Sequence, residues 1–158
     1  MINILKEKDT EKNYIRMVKT VEDFLATEKD ITANLANITA IIKSYMDDLN
    51  WVGFYILKEG DLVLGPFQGL PACIRIKPGK GVCFAAIEQN KTLVVDDVDG
   101  FPGHIACDAA TKSELVCPIY KKGKIYGVLD LDSPLAARFT CLEVGYIEKI
   151  GDLIGNIL

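Results

Sequence analysis

Two apolar segments joined by a short basic turn constrain the fold of this chain most strongly. Residues 113–120 and 125–131 are rich in β-branched and aliphatic side chains, and residues 121–124 (Lys-Lys-Gly-Lys) lie between them. This pattern predicts a β-hairpin, because strands joined by so few residues can only run antiparallel. A chain with such a hairpin needs a sheet whose apolar faces are covered by other elements.

Helical periodicity lies at both ends of the chain. Apolar residues recur every three or four positions over residues 11–26 and 31–49, which predicts two amphipathic helices, the second with Asp30 as N-cap. Residues 140–143 (Thr-Cys-Leu-Glu) form a capping-box pattern that predicts the start of a final helix. The remaining predictions are strands at 51–57, 62–64 and 92–95, a loop-like stretch from Gly65 to Gly79, and a short helix within 80–90.

This order of elements predicts an α+β fold in one domain, residues 1–158. We expect a central antiparallel β-sheet with the N- and C-terminal helices packed on one face. Its parts are a helical segment (1–49), the sheet with its long loops (50–139), and the C-terminal helix (140–158). A chain of this length buries roughly 70% of its unfolded surface, so its core needs no disulfide or metal staple.

Composition excludes several kinds of partner and site. Lys and Arg number 18 against 22 Asp and Glu, and the net charge of −4 gives no general attraction to nucleic acid or to anionic membranes. No apolar run approaches the ~20 residues that span a bilayer. The single histidine, His104, disfavours a multi-histidine metal site. We therefore expect a soluble, cytoplasmic protein whose cysteines are reduced by default.

The cysteines divide into two groups by their surroundings. No Cys-x-x-Cys spacing occurs, so a zinc ribbon or a thioredoxin-type motif is not supported. The alternation of residues along its strand is compatible with a core position for Cys117, which favours a role as a small buried hydrophobic residue. Cys141 lies in the first turn of the last helix, where a surface or packing role is expected.

The other group lies in segments with loop character, where reactive groups concentrate. Cys73 and Cys107 both stand in such segments, and Cys83 opens the predicted short helix. Arg75 is close in sequence to Cys73, and His104 is close in sequence to Cys107. A positive charge on either residue could favour the thiolate form of its neighbouring cysteine. From the residues alone, redox chemistry and inert cysteines have about equal support.

Three carboxylates are predicted to converge at one end of the hairpin. Asp130 and Asp132 share a strand face because they are two residues apart, and Glu114 opens the partner strand opposite them. Carboxylates on one face repel each other unless a cation lies between them. A metal ion or an ammonium ligand would therefore use this cluster, while a solvated strand end is the alternative.

Two aromatic residues of the first predicted strand also share a face. Trp51 and Tyr55 are four residues apart. Core packing is the simpler interpretation. The alternative is the wall of a ligand pocket, because aromatic faces attract cations and pack against sulfur groups.

Together these features resemble the free methionine-(R)-sulfoxide reductase family, a catalytic branch of the GAF-domain fold. The resemblance covers residues 45–158, and its departures are Phe84, where a small residue is usual, and the extra thiols Cys117 and Cys141. The matching segments are Trp-Val-Gly-Phe-Tyr (51–55), Gly-Pro-Phe-Gln-Gly (65–69), Pro-Ala-Cys-Ile-Arg-Ile (71–76), Gly-Lys-Gly-Val-Cys (79–83), Phe-Pro-Gly-His-Ile-Ala-Cys-Asp (101–108), Ser-Glu-Leu-Val (113–116) and Gly-Val-Leu-Asp-Leu-Asp-Ser (127–133).

The resemblance implies thiol-dependent reduction of free methionine-(R)-sulfoxide by a GAF-like domain. It assigns Cys107 as the catalytic cysteine, Cys73 as the principal resolving cysteine, and Cys83 as a third that can join disulfide exchange. It implies thioredoxin as the reductant, no cofactor and no metal. A homodimer is considered because GAF domains often pair through their terminal helices.

The resemblance also implies a substrate pocket. Its carboxylates match Glu114, Asp130 and Asp132, and its aromatic wall matches Trp51 and Tyr55. Two other functions stay open at this point. One is a non-enzymatic GAF sensor of a small molecule, and the other is a cysteine redox sensor without substrate turnover.

Overall fold

A computed structural model of the chain describes residues 4–104 and 108–158. The helices are α1 (Thr10–Leu25), α2 (Ile31–Tyr45), α3 (Gly81–Gln89) and α4 (Cys141–Ile157), and a 3-10 turn lies at Val98–Gly100. The strands are β1 (Trp51–Lys58), β2 (Asp61–Gln68), β3 (Arg75–Ile76), β4 (Leu93–Val95), β5 (Ser113–Lys121) and β6 (Lys124–Ser133). None of the helices in these ranges is long and apolar enough to cross a membrane.

The six strands form one sheet in the order β3-β2-β1-β6-β5-β4, and every pairing is antiparallel. The hairpin predicted from residues 113–131 is β5–β6, which forms the longest pairing of the sheet. The α+β class and the central antiparallel sheet are therefore confirmed.

The two faces of the sheet have separate apolar cores. On one face, α2 and α4 pack against the strands and α1 packs against both helices, around fully buried residues such as Ile42, Leu129 and Ile150. This confirms the prediction that the terminal helices share one face. The opposite face is covered by α3 and carries a smaller core that includes Trp51 and Val116.

Local sequence signals set where two of the helices begin. The Asp30 side chain accepts a hydrogen bond from the Ala33 amide at 2.8 Å, as expected for an N-cap. Thr140 and Glu143 form the predicted capping box at the start of α4.

The second helix is shorter than the apolar periodicity predicts. It ends at Tyr45 rather than near residue 49, because Met46 is already extended, with φ of −100° and ψ of 120°, and Asp48 then adopts a left-handed conformation with φ of 60°. Leu49 keeps its place in the apolar pattern because the turned chain still packs it against the same core. The apolar pattern therefore continues for four residues beyond the end of the helix.

The second strand is longer than predicted, and the stretch from Gly65 to Gly79 is only partly a loop. Strand β2 continues to Gln68, and β3 follows within the same stretch. Pro66 lies within β2 although proline cannot donate a ladder hydrogen bond. It is tolerated here because it lies where the β1–β2 register shifts and beyond the residues that pair with β3.

Candidate active site

A pocket opens on the sheet face that α3 covers. The empty space in the pocket and at its mouth measures about 520 Å³, including open solvent. The residues that line it include Trp51, Tyr55, Cys83, Glu114, Asp130 and Asp132. Six of the eight residues singled out from the sequence therefore meet in one place.

Strand register brings the three carboxylates together. Glu114 on β5 pairs directly with Asp132 on β6, and Asp130 pairs with Val116 one step further along the same face. Glu114 and Asp130 are buried, with only 6% and 5% of their surface exposed, and Asp132 is partly buried. The cluster is thus a pocket floor, and the alternative of a solvated strand end is wrong.

Burial controls the charge state of this cluster. Loss of hydration raises the pKa of Glu114 and of Asp132 well above the ordinary carboxyl range, and the charge of Asp130 raises both further. The pKa of Asp130 is raised to about 7, again by burial, while hydrogen bonds from Cys83 and Glu114 oppose the shift. The raised pKa values favour protonated carboxyl groups in this pocket near neutral pH.

Two buried polar atoms of this pocket have no hydrogen-bond partner within residues 4–104 and 108–158. They are the acceptor Oδ1 of Asp130 and the donor Nε1 of Trp51. An unsatisfied buried polar group costs free energy, so a pair of them in one pocket indicates a polar ligand.

The aromatic wall is a stack of three rings. Trp51 lies between Tyr55 and Phe67, with ring centroids 5.8 and 5.4 Å apart and interplanar angles of 25° and 17°. Gly53 makes the stack possible, because a Cβ atom there would lie 2.6 Å from Cβ of Phe67 and would meet the Trp51 ring. The Tyr55 hydroxyl donates a hydrogen bond to the Cys73 carbonyl at 3.0 Å, which ties the Cys73 loop to the pocket.

The cysteines are in different states. Cys73 is disulfide-bonded, whereas Cys83, Cys117 and Cys141 are free thiols. Cys107 lies outside the described residues. Burial raises the pKa of Cys117 to about 12, so this thiol is inert, and Cys141 is exposed, as the sequence predicted for both.

Cys83 is buried at the first turn of α3. Its thiol donates to Oδ2 of Asp130 at 3.5 Å and lies 4.0 Å from Oε1 of Glu114. Burial and these carboxylates raise its pKa well above the usual thiol range, so it stays protonated at neutral pH.

The two cations considered as thiolate partners have other contacts. The Arg75 guanidinium is 3.4 Å from Asp61, an ion pair on the β2–β3 edge. His104 lines the pocket with its Nε2 3.7 Å from Oε2 of Glu114, and burial lowers its pKa, which favours the neutral imidazole. The sequence reasoning missed His104 as a pocket residue.

The sequence also did not predict a group of hydrogen-bonded polar residues beside the pocket. Asn50 donates from Nδ2 to Oδ2 of Asp108 at 2.9 Å and to Oγ1 of Thr111 at 3.0 Å. Asp108 and Thr111 both line the pocket. The sequence feature that could have pointed to Asp108 is its position directly after Cys107.

Comparisons with known proteins place this chain among its relatives. The free methionine-R-sulfoxide reductase of Escherichia coli is 46% identical over 127 residues, which cover 80% of this chain and 77% of that protein. An X-ray structure of free methionine-R-sulfoxide reductase from Neisseria meningitidis, in complex with its substrate, superposes with a TM-score of 0.95 at 38% identity. That match covers 99% of this chain and 95% of the other.

The reduced form of fRMsr of Staphylococcus aureus superposes with a TM-score of 0.89 at 43% identity, covering 100% of this chain and 99% of the other. Residues 30–158 also match the sequence model of the GAF domain. The chain therefore belongs to the GAF domain family and, within it, to the free methionine-R-sulfoxide reductases.

Proposed function

We propose that this protein reduces free L-methionine (R)-S-oxide to methionine with its own cysteines. The observation that carries this proposal is the buried acidic cluster facing an aromatic stack, with an unused acceptor on Asp130 and an unused donor on Trp51. The similarity to free methionine-R-sulfoxide reductases gives the substrate class.

The acidic cluster accounts for selectivity toward the free amino acid. Free methionine sulfoxide carries an α-ammonium group. Its positive charge favours the ionised forms of Asp130 and Asp132, and these carboxylates then bind it in the pocket floor. A peptide-bound residue lacks that ammonium, so it cannot compensate the buried charge. The rings of Trp51 and Tyr55 pack against the sulfur end of the side chain.

The reaction begins with attack of the Cys107 thiolate on the sulfoxide sulfur. Glu114 supplies a proton to the sulfoxide oxygen, a role that its raised pKa supports because it keeps the carboxyl protonated near neutral pH. The oxygen passes to Cys107 as a sulfenic acid, and methionine leaves with two electrons gained at sulfur.

Cys73 then resolves the sulfenic acid. Its thiol attacks the sulfur of Cys107, water leaves, and a Cys73–Cys107 disulfide remains. The disulfide-bonded state of Cys73, beside the free thiol of Cys83, supports Cys73 as the resolving residue. The raised pKa of Cys83 makes it the weaker nucleophile. A thioredoxin dithiol restores both thiols by exchange.

The test is a count of thiols and of released methionine after the reduced protein meets free methionine-(R)-sulfoxide without reductant. We expect two thiols lost for each methionine formed, and no reaction with the S epimer or with peptide-bound sulfoxide. Binding without thiol loss would indicate a GAF sensor. Thiol loss to general oxidants without methionine release would indicate a redox sensor, and either result would contradict the proposal.

A further inference from the structure

The Cys83 thiol lies between two carboxyl groups, an arrangement that disulfide exchange does not require. One ligand atom each from Cys83, Glu114 and Asp130 lies within 4.8 Å of the others, and all three residues are buried. They come from three elements, α3, β5 and β6, so the tertiary structure alone assembles the set.

The distances fit a tetrahedral metal ion. Zinc with sulfur at about 2.3 Å and oxygen at about 2.0 Å holds those two atoms about 3.5 Å apart. The Cys83 sulfur is 3.5 Å from Oδ2 of Asp130. It is 4.0 Å from Oε1 of Glu114, a separation that a small rotation of the Glu114 carboxyl closes.

A second observation points to a ligand at the same place. Asp130 is 5% exposed, and its Oδ1 has no hydrogen-bond partner among the residues that the structure describes. A buried carboxylate with an unused acceptor, beside two further carboxyl groups, is stabilised by a cation. The thiol selects among cations, because thiolate ligands favour zinc over magnesium or calcium.

We propose that the reduced protein binds one Zn²⁺ through Cys83, Glu114 and Asp130, with the fourth position open to the pocket. On binding, the ion replaces the protons of the Cys83 thiol and of the Glu114 carboxyl, and both protons pass to solvent. Zinc at this position occupies the place that the substrate ammonium takes, an expectation that rests on the proposed function. The ion is therefore a reversible inhibitor that competes with the sulfoxide, and it takes no part in the reaction.

Metal binding is tested without any sulfoxide. The double variant Cys73→Ser with Cys107→Ser removes the other two thiols of the family motif and keeps the three ligands. We expect one equivalent of Zn²⁺ by calorimetry and, with Co²⁺ as probe, a sulfur-to-cobalt charge-transfer band in the near ultraviolet.

Adding Cys83→Ser should abolish that band, and either Cys83→Ser or the isosteric Asp130→Asn should weaken zinc binding at least tenfold. The matched control Cys141→Ser removes an exposed thiol away from the pocket and should leave both signals unchanged. Zinc affinity that survives Cys83→Ser or Asp130→Asn in a variant that melts cooperatively would overturn the site, as would the absence of binding at 100-fold excess metal.

Competition is tested on the wild-type protein with a phosphine reductant that binds zinc weakly. Zinc should raise the apparent KM for the sulfoxide and leave kcat unchanged, and a chelator should reverse the effect. An unchanged KM at saturating zinc would overturn the competition. Reductase activity in the presence of chelator reports the proposed function separately, so the two failures are distinguishable.

Discussion

Asn50 and Asp108 are joined by a hydrogen bond of 2.9 Å from the amide nitrogen to the carboxylate. Asn50 immediately precedes β1, the strand that carries Trp51, and Asp108 immediately follows Cys107 in sequence. The pKa of Asp108 is lowered by the Ala110 amide and then by Asn50, so the carboxylate is ionised and the bond is charge-assisted. This contact links the aromatic wall of the pocket to the segment that contains the proposed nucleophile.

Replacing Asn50 with alanine should therefore lower kcat more than it lowers stability. The variant loses the bonds to Asp108 and Thr111, and we expect at least a tenfold fall in kcat, measured well below the melting temperature. Asn34→Ala is the matched control, because Asn34 is a buried asparagine whose amide donates to the Glu28 carbonyl at 3.0 Å, in a helix that does not line the pocket. Equal kcat losses in the two variants would show that Asn50 has only a structural role.

Replacing Cys107 with serine should abolish methionine formation and leave the fold intact. Serine has nearly the same size as cysteine but is a far weaker nucleophile at neutral pH. The measurement combines methionine release in a single turnover with a thermal melt. Cys141→Ser is the control for loss of one thiol, and a Cys107→Ser protein that still loses thiols in step with added sulfoxide would contradict the assignment.

The isosteric changes Asp130→Asn and Asp132→Asn should weaken catalysis and spare stability. A hydrogen bond to a charged group contributes about 1.5–3 kcal/mol, so each ammonium contact removed should lower kcat/KM by at least about tenfold. Glu114→Gln should act mainly on kcat, because it removes the proposed proton donor. Steady-state kinetics with thermal melts decide between these effects, and wild-type kcat/KM in all three variants would place substrate binding elsewhere.

The raised pKa of Asp130 predicts an unusual dependence of stability on pH. Its pKa is 3.8 for an exposed carboxyl and about 7 in the fold, so the folded protein binds the extra proton between about pH 4 and pH 7. Stability from this group is therefore present at the acidic end of that window and is lost as pH rises through 7.

Melting curves of wild-type protein and Asp130→Asn between pH 5 and pH 8 measure this effect. The variant should gain in Tm relative to wild type as pH rises, because asparagine carries no charge to bury. His104, whose pKa is lowered, contributes with the opposite sign in both proteins and largely cancels in the comparison. A Tm difference that is constant over this range would contradict the prediction.

Gly53→Ala should damage the aromatic wall. The added methyl group would lie 2.6 Å from Cβ of Phe67 and would meet the Trp51 ring, so the stack must shift. We expect a lower Tm and at least a tenfold higher KM for the sulfoxide. Gly100→Ala is the matched control because nothing lies within 4 Å of its Cβ position, and an unchanged KM in Gly53→Ala would exclude the stack from substrate binding.

Local sequence signals alone were enough to predict several elements correctly. The turn at residues 121–124 predicted the β5–β6 hairpin and placed Glu114 opposite the region of Asp130 and Asp132. The observed register pairs Glu114 with Asp132. Asp30 and the capping box at Thr140 predicted where α2 and α4 begin. These signals succeed because a hairpin register and a helix cap depend on residues only a few positions apart.

Other features depend on residues distant in the chain, and the sequence did not predict them. The end of α2 at Tyr45 and the continuation of β2 through Pro66 depend on packing and on strand neighbours. The bonds from Asn50 to Asp108 and Thr111 join residues about sixty positions apart.

The sequence by itself determined which residues carry chemistry, because the thiols, carboxylates and aromatic rings are readable along the chain. Only the tertiary structure decided what state these groups are in. Burial of Glu114 and Asp130 in the pocket floor raises their pKa values, and the position of α3 places the Cys83 thiol against them. Hydration and charge proximity are properties of the folded environment, so no local pattern in the chain specifies them.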